Sequence, residues 1–366
     1  MRVLVLDQFA ELGGAQRCLL ETVSALGEAG WEVHAALPGP GPLARLLEAR
    51  VASVHRLDLG SYSLGTKSVA DVVRYSARLG VLARQIRALA RRTGADLLYV
   101  NGPRLLPPAA CAELQLPVIF HCHNPIGSLA PRVLTAWAVR KTNATVIAAG
   151  NRLARQWRGA VHVVYGGVGG PPPGWERHGG SVGMIARFHP RKGQREFVTA
   201  AAQVAAELPE ARFLLCGDAV FEDRLGLRYR AEVLSCLPPS VRYLGWRDDV
   251  YEVLAACDLL VLPSREEGGV PYVILEAFAA RVPVLATPAG GIPEVIEDGR
   301  TGFLLSRPDA AGIARRLREL LPQPAVLSEV AERAWQLWRE RFTAEEYRRR
   351  LAALLARCCS AAARRG

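Results

Sequence analysis

No apolar run in this 366-residue chain reaches the roughly 18 to 20 residues that span a bilayer, so the sequence offers no transmembrane helix. The amino terminus, MRVLVLDQFA, has one arginine before a short apolar run that stops at Asp7. It lacks the long apolar region and small-residue cleavage site of a signal peptide and reads as a first strand. The eight cysteines include no CxxC pair and no His/Cys cluster at metal-ligand spacing, which excludes a zinc module and points to reduced thiols in a cytoplasmic protein. Lysine is nearly absent. Only Lys67, Lys141 and Lys192 occur among 46 basic residues, so the net charge of +11 is an arginine bias of composition as much as a functional signal. Aromatics make up 7%, and no basic stretch interleaves with them to form a base-stacking platform, so no nucleic acid partner is expected. No GxGxxG follows a candidate strand, and the only Gly-Lys neighbours are the reversed Lys192-Gly193, which excludes a dinucleotide oxidoreductase and a P-loop nucleotidase. There is also no Asp-x-Asp pair to hold a metal-bound diphosphate. Phosphate chemistry here must use side-chain cations, backbone amides and helix dipoles, with no metal and no other cofactor.

What is present is an alternation of short apolar runs with helical periodicity, the pattern of strands joined by crossover helices in a parallel sheet. The first series places strands at Val3 to Asp7, Val33 to Leu37, Asp96 to Asn101, Val118 to His121 and Thr145 to Ala149. The glycine- and proline-rich stretch from Val161 to Ser181 breaks the rhythm and reads as a linker. A second series follows, with strands at Val182 to Arg187, Arg212 to Cys216, Val241 to Leu244, Asp258 to Leu262, Val282 to Ala286 and Gly302 to Leu305. The expected fold class is α/β, two doubly wound Rossmann-like domains facing across a cleft. Domain bounds are set at 1–162, a linker at 163–180, a second domain at 181–335, and a helical segment at 336–366 that can cross back to the first domain. In such sheets ligands bind outside the carboxyl ends of the strands.

The second half contains VGMIARFHPRKG, then LLCGD, then VRYLGWRDDVYEVLAACDLLVLPSREEGGVPYVILEAFAARVPVLATPAGGIPEVIEDGRTGFLL. The first half contains LDQFAELGGAQRCLLETVSALGEAGWEVHAAL, a strand, a glycine pair and a helix. Taken alone, these residues leave alternatives open. Arg187 and Lys192 can be surface cations beside a turn, Glu276 an acidic residue stabilised near a helix start, and Gly13 and Gly14 a plain turn. Asp248 and Asp249 can be helix caps, and GGIPE reads as a structural turn. Together, however, the segments resemble glycosyltransferase family 4, retaining enzymes of the GT-B fold, over most of residues 1 to 305.

The resemblance implies a nucleotide-diphosphate sugar as donor and a carbohydrate or lipid-linked acceptor, in synthesis of a cell-surface polysaccharide or glycolipid. It implies that Arg187 and Lys192 meet the donor phosphates, where cations stabilise the charge of a departing diphosphate. Gly268, Gly269 and Val270 lead, with Pro271 at a first helical position, into a helix whose free amides face the phosphates. Glu276, one turn in, corresponds to the ribose contact. The family separates its two glutamates by seven residues, whereas Glu267 and Glu276 are separated by eight. Glu267 is assigned to face the donor sugar, with the extra residue absorbed among Gly268, Gly269 and Val270. Gly13 and Gly14 allow close approach of backbone to phosphate, and Asp218 lies at a strand end near the nucleotide base. His123 corresponds to the histidine lining the sugar pocket. His121 is expected to point to the opposite strand face, and no ion can be held by His121, Cys122 and His123 alone. A nucleotide-sugar epimerase, or a binding protein without catalysis, are the alternative functions. Finally, Lys67 to Gly94 carries Arg74, Arg78, Arg84, Arg87, Arg91 and Arg92 among Val72, Val73, Leu79, Leu82, Ile86 and Leu89. This is a basic amphipathic helix that either packs on the sheet or seats the protein peripherally on an anionic inner membrane surface.

Overall fold

The computed structural model describes residues 1–60, 69–220 and 224–363. The chain forms two units, Met1–Gly166 with Glu345–Gly366, and Gly167–Ala344. Among the described residues the first unit holds a seven-stranded, wholly parallel sheet. Its strands are β1 (Arg2–Asp7), β2 (Glu32–Leu37), β3 (Ser53–Arg56), β4 (Leu97–Asn101), β5 (Val118–Cys122), β6 (Thr145–Ala148) and β7 (Val161–Val163), in the order β3-β2-β1-β4-β5-β6-β7. The second unit holds a parallel sheet in the order β10-β9-β8-β11-β12-β13. Those strands are β8 (Ser181–Ile185), β9 (Phe213–Cys216), β10 (Val241–Gly245), β11 (Cys257–Leu262), β12 (Val284–Ala286) and β13 (Phe303–Leu304).

Both sheets are covered by helices, which explains why the central strands read as unbroken apolar runs. Leu4, Leu6, Leu98, Val100 and Phe120 build the first core; Met184, Phe197, Phe213, Leu259 and Val261 build the second. The strand that the sequence hides is β3, whose SVHR stretch is only partly buried at the sheet edge and carries little apolar signal. The expected linker is structured at both ends: Val161 to Val163 pairs with β6, and Ser181 already belongs to β8. Arg187 lies beyond β8 rather than within it.

The arginine-rich segment forms the helix Val69–Thr93. Leu82, Ile86 and Leu89, at helical spacing, are buried in the first core, so this part of the apolar side packs on the sheet. Four of its arginines are held by the protein: Arg74 pairs with Asp71, Arg78 with Asp58, Arg87 donates to the carbonyl of Ala112, and Arg92 donates to His55 Nδ1 at 3.0 Å. Lys67 lies outside the described residues. No helix among the described residues is long and apolar enough to cross a membrane.

Polar side chains are scarce in either core, and among the described residues Asp7 is the one carboxylate taken fully into the first. It ends β1, where uncharged donors reach it, among them Phe9 N at 2.8 Å, Gln16 Nε2 at 3.1 Å and Asn101 Nδ2 at 2.6 Å. Burial outweighs these bonds and pushes the carboxyl up to about 7. A carboxyl whose pKa rises on folding holds its proton more tightly in the native state, so its contribution favours folding below pH 7 and weakens as the pH climbs from the unfolded value of 3.8. The protein should therefore lose up to about 4 kcal/mol of stability between about pH 4 and about pH 8, and Asp7→Asn should lack that share of the loss. Urea unfolding of both proteins across this range reads the difference; equal pH slopes would overturn it.

Candidate functional site

In the second sheet β8 and β11 lie side by side, yet the chain leaves β8 for β9 and β10, and leaves β11 for β12 and β13. Connections from the two carboxyl ends therefore part, and such a switch point is where open parallel sheets bind ligands. The segment after β8 carries Arg187 and the tight turn Pro190–Lys192; the segment after β11 carries Glu266 to Pro271. Three contacts tie them. Arg265 N donates to Arg191 O at 2.7 Å, Arg191 Nη1 to Glu266 Oε2 at 2.9 Å, and Lys192 Nζ to Glu267 Oε1 at 2.5 Å.

Exposure separates the two ion pairs. The Arg191 and Glu266 side chains are 49% and 66% exposed, a geometry in which water and salt remove most of the attraction. Those of Lys192 and Glu267 are 17% and 10% exposed, where screening is weaker. Of the two neighbouring glutamates, Glu267 is thus the one turned inward beside the lysine, while Glu266 faces solvent.

The loop from Glu267 to Val270 is pressed against the GGIPE segment. Gly290 has a left-handed φ of +57°, and a Cβ there would come 2.3 Å from the carbonyl oxygen of Glu267; one at Gly291 would come 2.6 Å from the carbonyl carbon of Gly269. The glycine pair therefore backs the longer loop as well as forming a turn. Behind Gly268, Gly269 and the buried Val270, Pro271 occupies the N-cap of the helix Tyr272–Ala279 rather than its first helical position. Glu276, 8% exposed, lies one turn inside that helix.

Asp218 follows β9, and its carboxylate is held by Arg230 and by Ala219 N at 2.6 Å, while its carbonyl accepts from Phe188 N at 2.8 Å. It ties the connections after β8 and β9 together. Asp249 sits at the N-cap of Val250–Ala255 but makes no side-chain cap bond; its carboxylate pairs with Arg247. Asp248 accepts from Trp246 Nε1 at 3.0 Å.

The first sheet has its own switch point, between β1 and β4. Register sets Asp7 opposite Asn101 and Asn101 opposite His121 at the carboxyl ends of β1, β4 and β5. Gly13 is the N-cap of the helix Gly14–Glu28 and brings no side chain to it; its carbonyl accepts from Gln16 N and Arg17 N. The earlier amides, of Gly14 and Ala15, have no partner within the helix, an arrangement that favours an anion.

Asn101 joins this helix start to His123. Its Nδ2 donates to Asp7 Oδ2 at 2.6 Å and to Ala15 O at 3.4 Å, and its Oδ1 lies 2.7 Å from His123 Nε2. Because Asp7 needs the amide nitrogen, the amide oxygen is left to accept, and His123 carries its proton on Nε2. Its Nδ1 is then the lone-pair nitrogen. Burial pushes His123 down to about 3, so the ring is neutral near pH 7.

His121 is not on the opposite face. Residues two apart on a strand share a face, and the His121 and His123 ring centroids are 3.9 Å apart. His121 Nδ1 bonds Tyr99 Oη at 2.6 Å, and burial holds the ring well below its usual pKa. Cys18, from the helix Gly14–Glu28, approaches the same pair: one ligand atom from each of Cys18, His121 and His123 lies within 4.8 Å of the others. These are the side chains here that could take a metal. Cys122 is not among them; its thiol is pushed up to about 11 by burial and points to Asn124 O. Asp7, Asn101 and Cys18 escape a reading of the sequence, although Asp7 and Asn101 leave the faint signal of a polar residue closing an apolar strand.

Residues 179–323 match the family model described as glycosyl transferases group 1, and residues 12–169 match the model described as glycosyltransferase family 4. A stretch of 163 residues is 36% identical to N-acetyl-alpha-D-glucosaminyl L-malate synthase of Bacillus anthracis, covering 44% of this chain and 41% of that protein. Another, of 179 residues, is 31% identical to a GDP-mannose-dependent monoacylated alpha-(1-6)-phosphatidylinositol monomannoside mannosyltransferase of Corynebacterium glutamicum, covering 44% and 45%. The matched stretch spans less than half the length of these relatives. The fold is similar to the crystal structure of Anabaena Alr3699/HepE in complex with UDP-glucose, with a TM-score of 0.82 and 24% identity over 97% of this chain and 99% of that one. That neighbour shares the GT-B fold, and with a glycosyl transferases group 1 model on residues 179–323 and a glycosyltransferase family 4 model on residues 12–169, the chain belongs to the group 1 glycosyltransferases.

Proposed function

We propose that the protein is a retaining, metal-independent glycosyltransferase that moves a sugar from a nucleoside diphosphate to a carbohydrate or lipid-linked acceptor. The observation that carries this reading is the shielded Lys192–Glu267 pair at the β8/β11 switch point, beside the start of the helix Tyr272–Ala279. A diphosphate leaving group gains charge as the sugar departs, and Lys192, Arg187 and the helix amides are cations and dipoles placed before the charge develops. Before donor binds, Glu267 holds Lys192 in place. An arriving phosphate competes for the ammonium and leaves the Glu267 carboxylate able to accept from sugar hydroxyls. Glu276 accepts from the ribose. His123, neutral and with Nδ1 as acceptor, receives a sugar hydroxyl in the first unit, while Gly13 and Gly14 offer amides to phosphate.

No protein nucleophile is needed if the leaving phosphate oxygen takes the acceptor proton on the same face of the sugar; the protein's work is positioning and charge stabilisation. The names of the relatives include UDP-glucose and GDP-mannose, so these motifs are compatible with more than one base and sugar. A phosphatidylinositol mannoside in one of those names supports a role in glycolipid or cell-surface polysaccharide synthesis. For an anionic membrane surface, the helix Val69–Thr93 offers exposed arginines such as Arg84 and Arg91, so such attachment would be electrostatic and weaken in salt.

Lys192→Ala should cost about 2 to 4 kcal/mol of transition-state stabilisation with the circular dichroism spectrum unchanged. Turnover within about twofold of the parent would overturn the assignment. Glu276→Gln should weaken nucleoside diphosphate binding, read by isothermal titration; unchanged affinity would remove the ribose contact. Turnover should persist in EDTA, since cations of the chain replace a metal; loss in chelator with recovery in magnesium would contradict the site.

A further inference from the structure

We propose that Cys18, His121 and His123 form a binding site for a thiophilic divalent cation of the Zn²⁺ class, and that a cation held there inhibits transfer by capturing His123. The second clause rests on the donor reading of His123; the first does not.

The donor set is the argument. A thiolate with two imidazoles is the ligand chemistry of zinc, and three protein ligands with a fourth position open to water is a stable arrangement for it. The three come from two elements: Cys18 from the second turn of the helix Gly14–Glu28, and the histidines from the end of β5 and the residue after it. Their ligand atoms already lie within 4.8 Å of one another. Ligands on a tetrahedral Zn²⁺ sit about 3.5 Å apart, from bond lengths of about 2.0 to 2.3 Å. Closing the remaining gap, of about 1 Å, requires side-chain rotation and some opening of the His121–His123 stack.

A second observation points the same way. His121 Nε2 is fully buried with no hydrogen-bond partner among the described residues, which in a protein interior calls for an explanation. One nitrogen of each ring is held within the protein, His121 through Nδ1 to Tyr99 Oη and His123 through Nε2 to Asn101 Oδ1. That is the outer-shell pattern of metal-binding histidines: one nitrogen held, the other presented.

As the metal–sulfur bond forms, Cys18 releases its proton to solvent. Tyr347 Oη, which now accepts from the thiol at 3.3 Å, can turn its hydrogen to the thiolate. The assembly of one divalent cation, one thiolate and two neutral imidazoles carries a single positive charge.

Co²⁺ is the probe, added to the full chain. Visible d–d bands with a near-ultraviolet thiolate-to-metal band, displaced by Zn²⁺, are expected. Cys18→Ser should lose the thiolate band and weaken affinity at least about tenfold; His121→Gln, a second variant, should weaken it similarly. No bands, or bands unchanged in both variants, would overturn the site. In turnover assays Zn²⁺ should inhibit the parent, EDTA should restore it, and Cys18→Ser should be active and resistant. Co²⁺ binding without any inhibition by Zn²⁺ would leave the site standing and overturn both its inhibitory role and the placing of His123 against the donor.

Discussion

Neighbouring parallel strands that leave for opposite halves of their sheet force their following segments apart, and the Asp7–Asn101 and Lys192–Glu267 contacts of this protein depend on that constraint. It operates twice, between β1 and β4 and between β8 and β11. Parallel pairing puts all carboxyl ends on one edge, so residues far apart in sequence meet there by register alone. Asp7, Asn101 and His121 stand in line at one such edge; Lys192 and Glu267 meet at the other.

In the second unit a lysine on a loop is held beside a carboxylate from a neighbouring loop. A free lysine on a loop would sample many rotamers, and the near-buried Glu267 restricts it. The carboxylate can do this only because its own loop is fixed, by the main-chain bond from Arg265 to Arg191 on one side and the bare backbone of Gly290 and Gly291 on the other. The extra residue between Glu267 and Glu276 is thus packed against a surface that has no side chains to resist it. Without those glycines the longer loop would clash with its neighbour.

In the first unit the problem is a buried carboxylate without a cation. Among the described residues Asp7 is reached by amides, and the same amide of Asn101 that satisfies it sets the proton of His123. Polar groups buried in this way are costly unless fully bonded, so each member of the chain limits the orientation of the next. Tyr99, Thr22 and Tyr347 continue the polar patch around His121 and Cys18, the last from the carboxyl-terminal helix Ala344–Ala363.

Much of this was legible in the sequence. Local composition determined the two series of strands and helices, because a strand buried on both faces must be apolar along its length, and the ordered motifs from Val182 to Leu305 were enough to place the chain in a family. β3 escaped, since a partly buried edge strand needs no such run. The helix Val69–Thr93 showed its amphipathic spacing but not what its apolar side would meet, which the sheet decided. Between Glu266 and Glu267, adjacent and chemically alike, only packing chose which faces Lys192. The company of His123 was likewise beyond the sequence: Asp7 and Asn101 are 94 residues apart, and Cys18 lies on a different element from the histidines it approaches. Strand register and helix docking create those contacts, and neither leaves a local trace in the amino acids that take part.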